Sequence, residues 1–226
     1  LPIYKALFLD NRLVESSVCG VTPGSGIDLK KFSPSIPPCG DNITFLLIAR
    51  MLRDKGIREF VEAATLVRSR LSDVNFQMLG PLGVENRSAI SHEQIKLWQQ
   101  QGVVSYLGET SDVTQYIKKA NCIVLPSYRE GTSRVLLEAS AMARPIITTD
   151  VPGCREIVNE GKNGFLCRPK DAGHLAEKMV KMALMSVSDR QTMGEEGRLK
   201  VEKEYDQSIV STMYIDAINH TLEKSI

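Results

Sequence analysis

Short runs that are apolar throughout alternate along this chain with longer runs whose apolar residues recur at helical spacing. "ITFLLIA" (43–49) reads as a buried strand, and "IREFVEAATLVRSRL" after it places Phe60, Ala63, Ala64 and Val67 on one helical face. "VNFQMLG" follows as a strand, "SHEQIKLWQQQG" as a helix closed by glycine, and "VVSYLG" as a further strand. "DVTQYIKKA", "CIVLP", "SRVLLEASAMA" and "PIITTD" continue the alternation of helix and strand, and "NGFLCRP" is a last short strand before a mostly helical tail from Ala172 onward.

Strands that are apolar on both faces, each followed by a helix, predict an α/β domain: a Rossmann-like parallel sheet with helices on both faces. Such sheets place ligands beyond the carboxyl ends of their strands. The segments to inspect are therefore 50–56, 80–84, 108–112, 126–132 and 150–156.

Two of these carry phosphate chemistry. "ARMLRDKG" puts Arg50 and Lys55 between a strand and a helix, where a planar guanidinium and a point-charge ammonium can converge on a diphosphate. For Lys55 the competing reading is a solvated pair with Asp54. In "PSYREGTSRVLLEASAMARPIITTD" Gly131 permits close backbone approach, and the N–H groups of Thr132, Ser133 and Arg134 at a helix start can face an anion. Thr132 or Ser133 as an ordinary helix cap is the plainer alternative. Two glutamates bracket this stretch. Glu130 is accounted for by the positive end of the helix. Glu138 falls between one and two turns inside, among small and apolar neighbours, and needs a partner there, either ribose hydroxyls or a nearby basic side chain.

Composition narrows the field without deciding it. The 226 residues suit one large domain or two small ones, and one is expected; the formal net charge of +1 gives no reason to expect a nucleic-acid partner. Five cysteines without a C-x-x-C pair, and histidines only at 92, 174 and 220, argue against a zinc site or a disulfide framework. No run has the length and apolarity to cross a bilayer, and the N-terminus lacks a basic start followed by a long apolar run, so a cytoplasmic protein is expected. The chain begins without methionine and in mid-pattern, as a piece of a longer protein would.

"FLLIARMLRDKGIREFVEAA", "PSYREGTSRVLLEASAMARPIITTDVPGCREIV" and "NGFLCRP" resemble the C-terminal, donor-binding half of family 4 (group 1) retaining glycosyltransferases, whose GT-B fold sets two Rossmann-like domains face to face. "VTPGSGIDLKKFSP" resembles the segment leading into that half, and Glu130 and Glu138 fit the family's E-x7-E motif. The resemblance implies a hexosyltransferase in which Arg50 and Lys55 hold the donor diphosphate and Glu130 contacts the transferred sugar. It places Glu138 on the ribose hydroxyls, and the amides of Gly131, Thr132 and Ser133 around the phosphates, with no metal or other cofactor. Arg155 and Glu156 fit a subgroup that builds bacterial surface polysaccharides and lipid-linked oligosaccharides, which implies a UDP-sugar donor such as UDP-N-acetylhexosamine or UDP-galactose. Ala143 and Arg144 stand where the family shows glycine before the proline; Arg144 is expected to cap the helix C-terminus in a locally altered turn.

The same resemblance divides the chain into an interdomain linker (1–20), a nucleotide-sugar-binding domain (21–205) and a crossover helix (206–226). It implies a missing N-terminal acceptor domain, through which the whole protein would associate with the inner face of a membrane. The chain alone would then bind a nucleotide sugar without transferring it. Ile209, Met213 and Ile218 on the crossover helix would either be exposed or pack on this domain. The loops after "VNFQMLG" and "VVSYLG" are expected to hold the base. Three alternatives remain: a nicotinamide-dependent dehydrogenase, opposed by the absent third glycine in "PGSGIDL"; a nucleotide-sugar epimerase of the same fold; and a non-catalytic nucleotide-binding module.

Overall fold

The computed structural model describes residues 8–16, 19, 21–40 and 42–223. Six parallel strands form one sheet: β1 (Ile43–Ile48), β2 (Val74–Leu79), β3 (Ser105–Tyr106), β4 (Cys122–Leu125), β5 (Ile146–Thr149) and β6 (Gly164–Cys167). Their spatial order is β3-β2-β1-β4-β5-β6. The helices are α1 (Ile57–Arg68), α2 (His92–Gln100), α3 (Thr114–Lys119), α4 (Arg134–Ala141), α5 (Ala172–Leu184), α6 (Val187–Glu204) and α7 (Gln207–Glu223). The α/β architecture matches the expectation. "VVSYLG" shortens to a two-residue edge strand at Ser105–Tyr106, and the tail divides into three helices. The expected linker falls partly outside the described residues.

Side chains that alternate along each strand enter two separate cores, because successive Cβ atoms point to opposite faces. Phe45 and Leu47 of β1 with Cys122 and Val124 of β4 pack beneath α1, α2 and α5, while Leu46, Ile48, Ile123 and Leu125 pack beneath α3, α4 and α6. In the first core Phe45 stacks on Phe76 at 5.6 Å between centroids, and Phe60 meets Phe76 edge-on at 6.0 Å. Such pairs contribute about 0.5–1.5 kcal/mol beyond the area they bury.

The chain builds outward from β1 through β2 to β3, then returns to lay β4 on the other side of β1. The helices that follow β1 and β4 therefore lie on opposite faces of the sheet, and the strand ends from which they part form the switch point at which such folds place a crevice. Cys122, Cys154 and Cys167 are buried and all five cysteines are free; burial pushes the thiols of Cys154 and Cys167 up to about 12, so they pack as small apolar groups.

Arg144 caps the end of α4 as expected, beside Ala143 in a left-handed turn with φ of 56°, and does more. Its guanidinium is completely buried and donates to the carbonyls of Ile117, Lys118, Met142 and Ser35 and to the Ser35 hydroxyl at 2.8–3.1 Å. It does reach the end of α4, but it also ties α3 and residues 35–36 to that end. Burial depresses its pKa to about 10.

Candidate functional site

A 3-10 turn, Arg53–Lys55, follows β1 and ends at Gly56, whose φ of 72° lets the chain turn directly into α1. A Cβ at Gly56 would lie 2.1 Å from the Pro126 carbonyl oxygen, so only glycine lets this turn press against the loop after β4. Three bonds fasten the two loops. The Tyr128 N–H donates to the Asp54 carbonyl at 2.8 Å, the Ser127 hydroxyl donates to the same oxygen at 3.2 Å, and Lys55 Nζ meets Glu130 Oε1 at 2.7 Å. Residues 75 positions apart are thereby joined. The expected Lys55–Asp54 alternative does not form; the Asp54 carboxylate instead accepts from the Ser88 hydroxyl at 3.0 Å.

Lys55 and Glu130 each keep 15 % of their side-chain surface exposed. Arg50 lies on the same loop, solvent-exposed, and its side chain makes no ion pair or hydrogen bond with the other described residues. Three cations thus stand at the carboxyl end of β1, Arg50, Arg53 and Lys55, and among the described residues only Lys55 has an ion-pair partner.

Beyond Glu130 the loop runs into α4 through Gly131, Thr132 and Ser133. Ser133 occupies the cap position without a side-chain capping bond, and its N–H donates to the Gly153 carbonyl at 3.0 Å. Of the three amides expected to surround an anion, Ser133's is therefore already committed, whereas those of Gly131 and Thr132 make no hydrogen bond to the other described residues. Glu138 is 7 % exposed and pairs through Oε1 with Arg134 Nε at 3.1 Å, one turn earlier. Burial raises its pKa against the opposing pull of Arg134 and Lys31. The basic partner considered from the sequence is present, on a side chain that is itself 70 % exposed.

The structure adds residues that the sequence reading did not assign. Gly153, with φ of 86°, approaches so closely that a Cβ there would stand 1.6 Å from the Gly131 carbonyl oxygen. Its N–H is held by the Glu156 carboxylate at 2.7 Å. The Pro-Gly pair after β5 was the available signal, since it marks a turn at a strand end. Residues 21–24 also reach the site: cavities of about 240 Å³ and 360 Å³ flank Thr132, the first bounded by Val21, Pro23, Gly131 and Gly153, the second by Gly24, Arg134 and Leu137. The loops after β2 and β3 lie on the other side of the crevice, where the Tyr106 hydroxyl donates to the Gly80 carbonyl at 2.9 Å. Among the described residues no helix is long and apolar enough to cross a membrane.

Positive groups and open amides around a crevice at a strand-order reversal can take a diphosphate, with carboxylates on either side to accept hydroxyl protons. Residues 42–184 match the family model described as glycosyl transferases group 1. Over 223 residues the chain is 30 % identical to N,N'-diacetylbacillosaminyl-diphospho-undecaprenol alpha-1,3-N-acetylgalactosaminyltransferase of Campylobacter jejuni, covering 93 % of this chain and 56 % of that protein. Among solved structures, Anabaena Alr3699/HepE in complex with UDP superposes with a TM-score of 0.74 at 19 % identity, over 86 % of this chain and 56 % of that one. The C-terminal domain of the glycosyl transferase group 1 family protein LpcC from Francisella tularensis superposes with a TM-score of 0.65 at 23 % identity, over 80 % of this chain and 99 % of that domain. The chain spans about half the length of the curated relatives it matches.

Proposed function

From the premise that this chain belongs to the group 1 glycosyl transferases, as a C-terminal domain of that family, we propose that it binds the nucleotide-diphospho-sugar donor, a UDP-sugar, of a retaining hexosyltransferase. The observation that carries this is the convergence of Lys55 and Glu130 at the reversal between β1 and β4. A diphosphate placed there lies against Lys55, within the span of Arg50, and in front of the Gly131 and Thr132 amides. The sugar beyond it meets Glu130, and the ribose meets Glu138.

In transfer, the bond from the anomeric carbon to the β-phosphate oxygen breaks and its electron pair passes to the diphosphate. Lys55 and Arg50 offset that developing charge, an electrostatic stabilisation of the kind that accounts for much of enzymatic rate acceleration. The acceptor oxygen bonds to the same face of the anomeric carbon while its proton moves to the departing phosphate oxygen. No metal is assigned a part. The acceptor is a saccharide or a lipid-linked saccharide in surface polysaccharide assembly, held by a second domain that also brings the protein to the membrane. In support, the Campylobacter relative is named for transfer to a sugar on diphospho-undecaprenol, and the Anabaena neighbour was solved with UDP.

Calorimetric titration with UDP, GDP, ADP and NAD, followed by a thermal-shift panel of UDP-sugars, tests the assignment. Saturable heat with UDP and a raised melting temperature with one UDP-sugar are expected. Binding of NAD in place of UDP would refute it, and conversion of the UDP-sugar to its epimer by the chain alone would transfer the case to an epimerase.

A further inference from the structure

We propose that Glu130 makes this pocket favour sugar-bearing diphosphates over the bare nucleoside diphosphate; the proposal rests on the donor-site reading above. Among the described residues the carboxylate of Glu130 has one partner, Lys55, and the ammonium of Lys55 has one partner, Glu130, at 2.7 Å. The cation assigned to the phosphates is thus already engaged by the anion assigned to the sugar. Lys55 has three N–H donors and spends one on Glu130, so a diphosphate that takes the others shares the cation and brings its oxygens up against the Glu130 carboxylate.

What happens next depends on the ligand. Bare UDP carries only negative groups at that end, so it sets like charge against the Glu130 carboxylate and weakens its hold on the shared ammonium. A partly desolvated anion in that state is unfavourable. A UDP-sugar brings hydroxyl groups to the same place, and their protons offset the like charge and restore what the shared ammonium no longer supplies. Discrimination then comes from a penalty built against the wrong ligand as much as from contacts with the right one.

Glu130 cannot easily swing aside to avoid the penalty. Its loop is pinned by the Tyr128 and Ser127 bonds to the Asp54 carbonyl, by the Tyr128 hydroxyl on the Glu59 carboxylate, and by the close seat of Gly131 on Gly153. The same arrangement assists turnover. Once the sugar has left, the carboxylate faces the product diphosphate without the sugar's hydroxyls, and relief of that like charge favours product release.

The test is calorimetric titration of the wild-type chain, Glu130→Gln, Lys55→Gln and the double variant with UDP and with the UDP-sugar that gives the largest thermal shift. Glu130→Gln is expected to bind UDP about tenfold more tightly than wild type, and the UDP-sugar no more tightly than wild type. Adding Lys55→Gln is expected to cancel the gain for UDP. Glu130→Ala, which also removes the charge, should reproduce the tighter UDP binding and guards against a folding defect peculiar to one variant. A wild-type chain that binds UDP while both Glu130 variants bind it equally or more weakly overturns the proposal alone, as does a gain that survives loss of Lys55. A wild-type chain that binds neither UDP nor any UDP-sugar overturns the donor-site reading beneath it.

Discussion

Helix α4 has a buried or half-buried cation near each end, and the two are satisfied in opposite ways. At its C-terminal end Arg144 is fully enclosed and its guanidinium donates to carbonyl and hydroxyl oxygens from three segments, with no carboxylate partner among the described residues. At its N-terminal end Lys55 retains some exposure and has a single, exchangeable partner in Glu130, beside two amides without partners among the described residues. A cation whose hydrogen-bonding capacity is filled from within the fold is committed to structure, while one that spends a single donor on one carboxylate remains available to a ligand.

The largest effect should come from breaking the saturated end. Arg144→Met removes the donors of at least four buried or part-buried oxygens and is expected to cost about 3 kcal/mol or more, read by urea unfolding. If that variant still folds, its UDP affinity should match wild type, because Arg144 does not reach the crevice loops. Arg144→Lys should recover only part of the loss, since an ammonium cannot reproduce the planar fork.

Next comes the packing that shapes the unsaturated end. Gly153→Ala places a methyl group against the Gly131 carbonyl oxygen in a left-handed backbone conformation and should cost about 1–3 kcal/mol. Its UDP affinity should fall by roughly tenfold or more, since the loop carrying Glu130 and the open amides must shift. A Gly153→Ala protein with wild-type affinity would separate that loop from the ligand.

A smaller effect is expected from pH. Burial holds the Glu138 carboxyl above the ordinary carboxylate value, so its protonated form is favoured on folding. That contribution to stability is complete below the unfolded pKa and is lost as pH rises through the raised folded value. Ligand binding should run the other way: ribose hydroxyls donate to the ionised form, so UDP affinity should climb over the same interval, and Glu138→Gln should flatten the climb. Least of all, Tyr128→Phe removes one hydroxyl from Glu59 and should lower stability by about 1 kcal/mol while slightly weakening the ratio of UDP-sugar to UDP binding.

Much of the architecture was legible in the letters because a parallel sheet covered on both faces demands strands that are apolar throughout and helices of fixed period. The loops of interest followed from the same pattern, and so did the charges and glycines that populate them. The difference between Arg144 and Lys55 was not legible. Both are basic residues next to the end of an element, and at Arg144 that position suggested no more than an ordinary helix cap. Nor could the sequence tell that the Ser133 amide would be taken by Gly153, because that bond joins loops from two neighbouring strands.

By itself, then, the sequence determined which segments become strands and helices, and which residues with chemical potential stand at strand ends, since both depend on spacing along the chain. Only the tertiary structure decided that the loops after β1 and β4 lie side by side, that Lys55 answers Glu130 rather than Asp54, and that Arg144 is sealed in the core. Those outcomes depend on strand order and on distances between residues far apart in sequence, which are fixed when the sheet assembles and the two cores close around it.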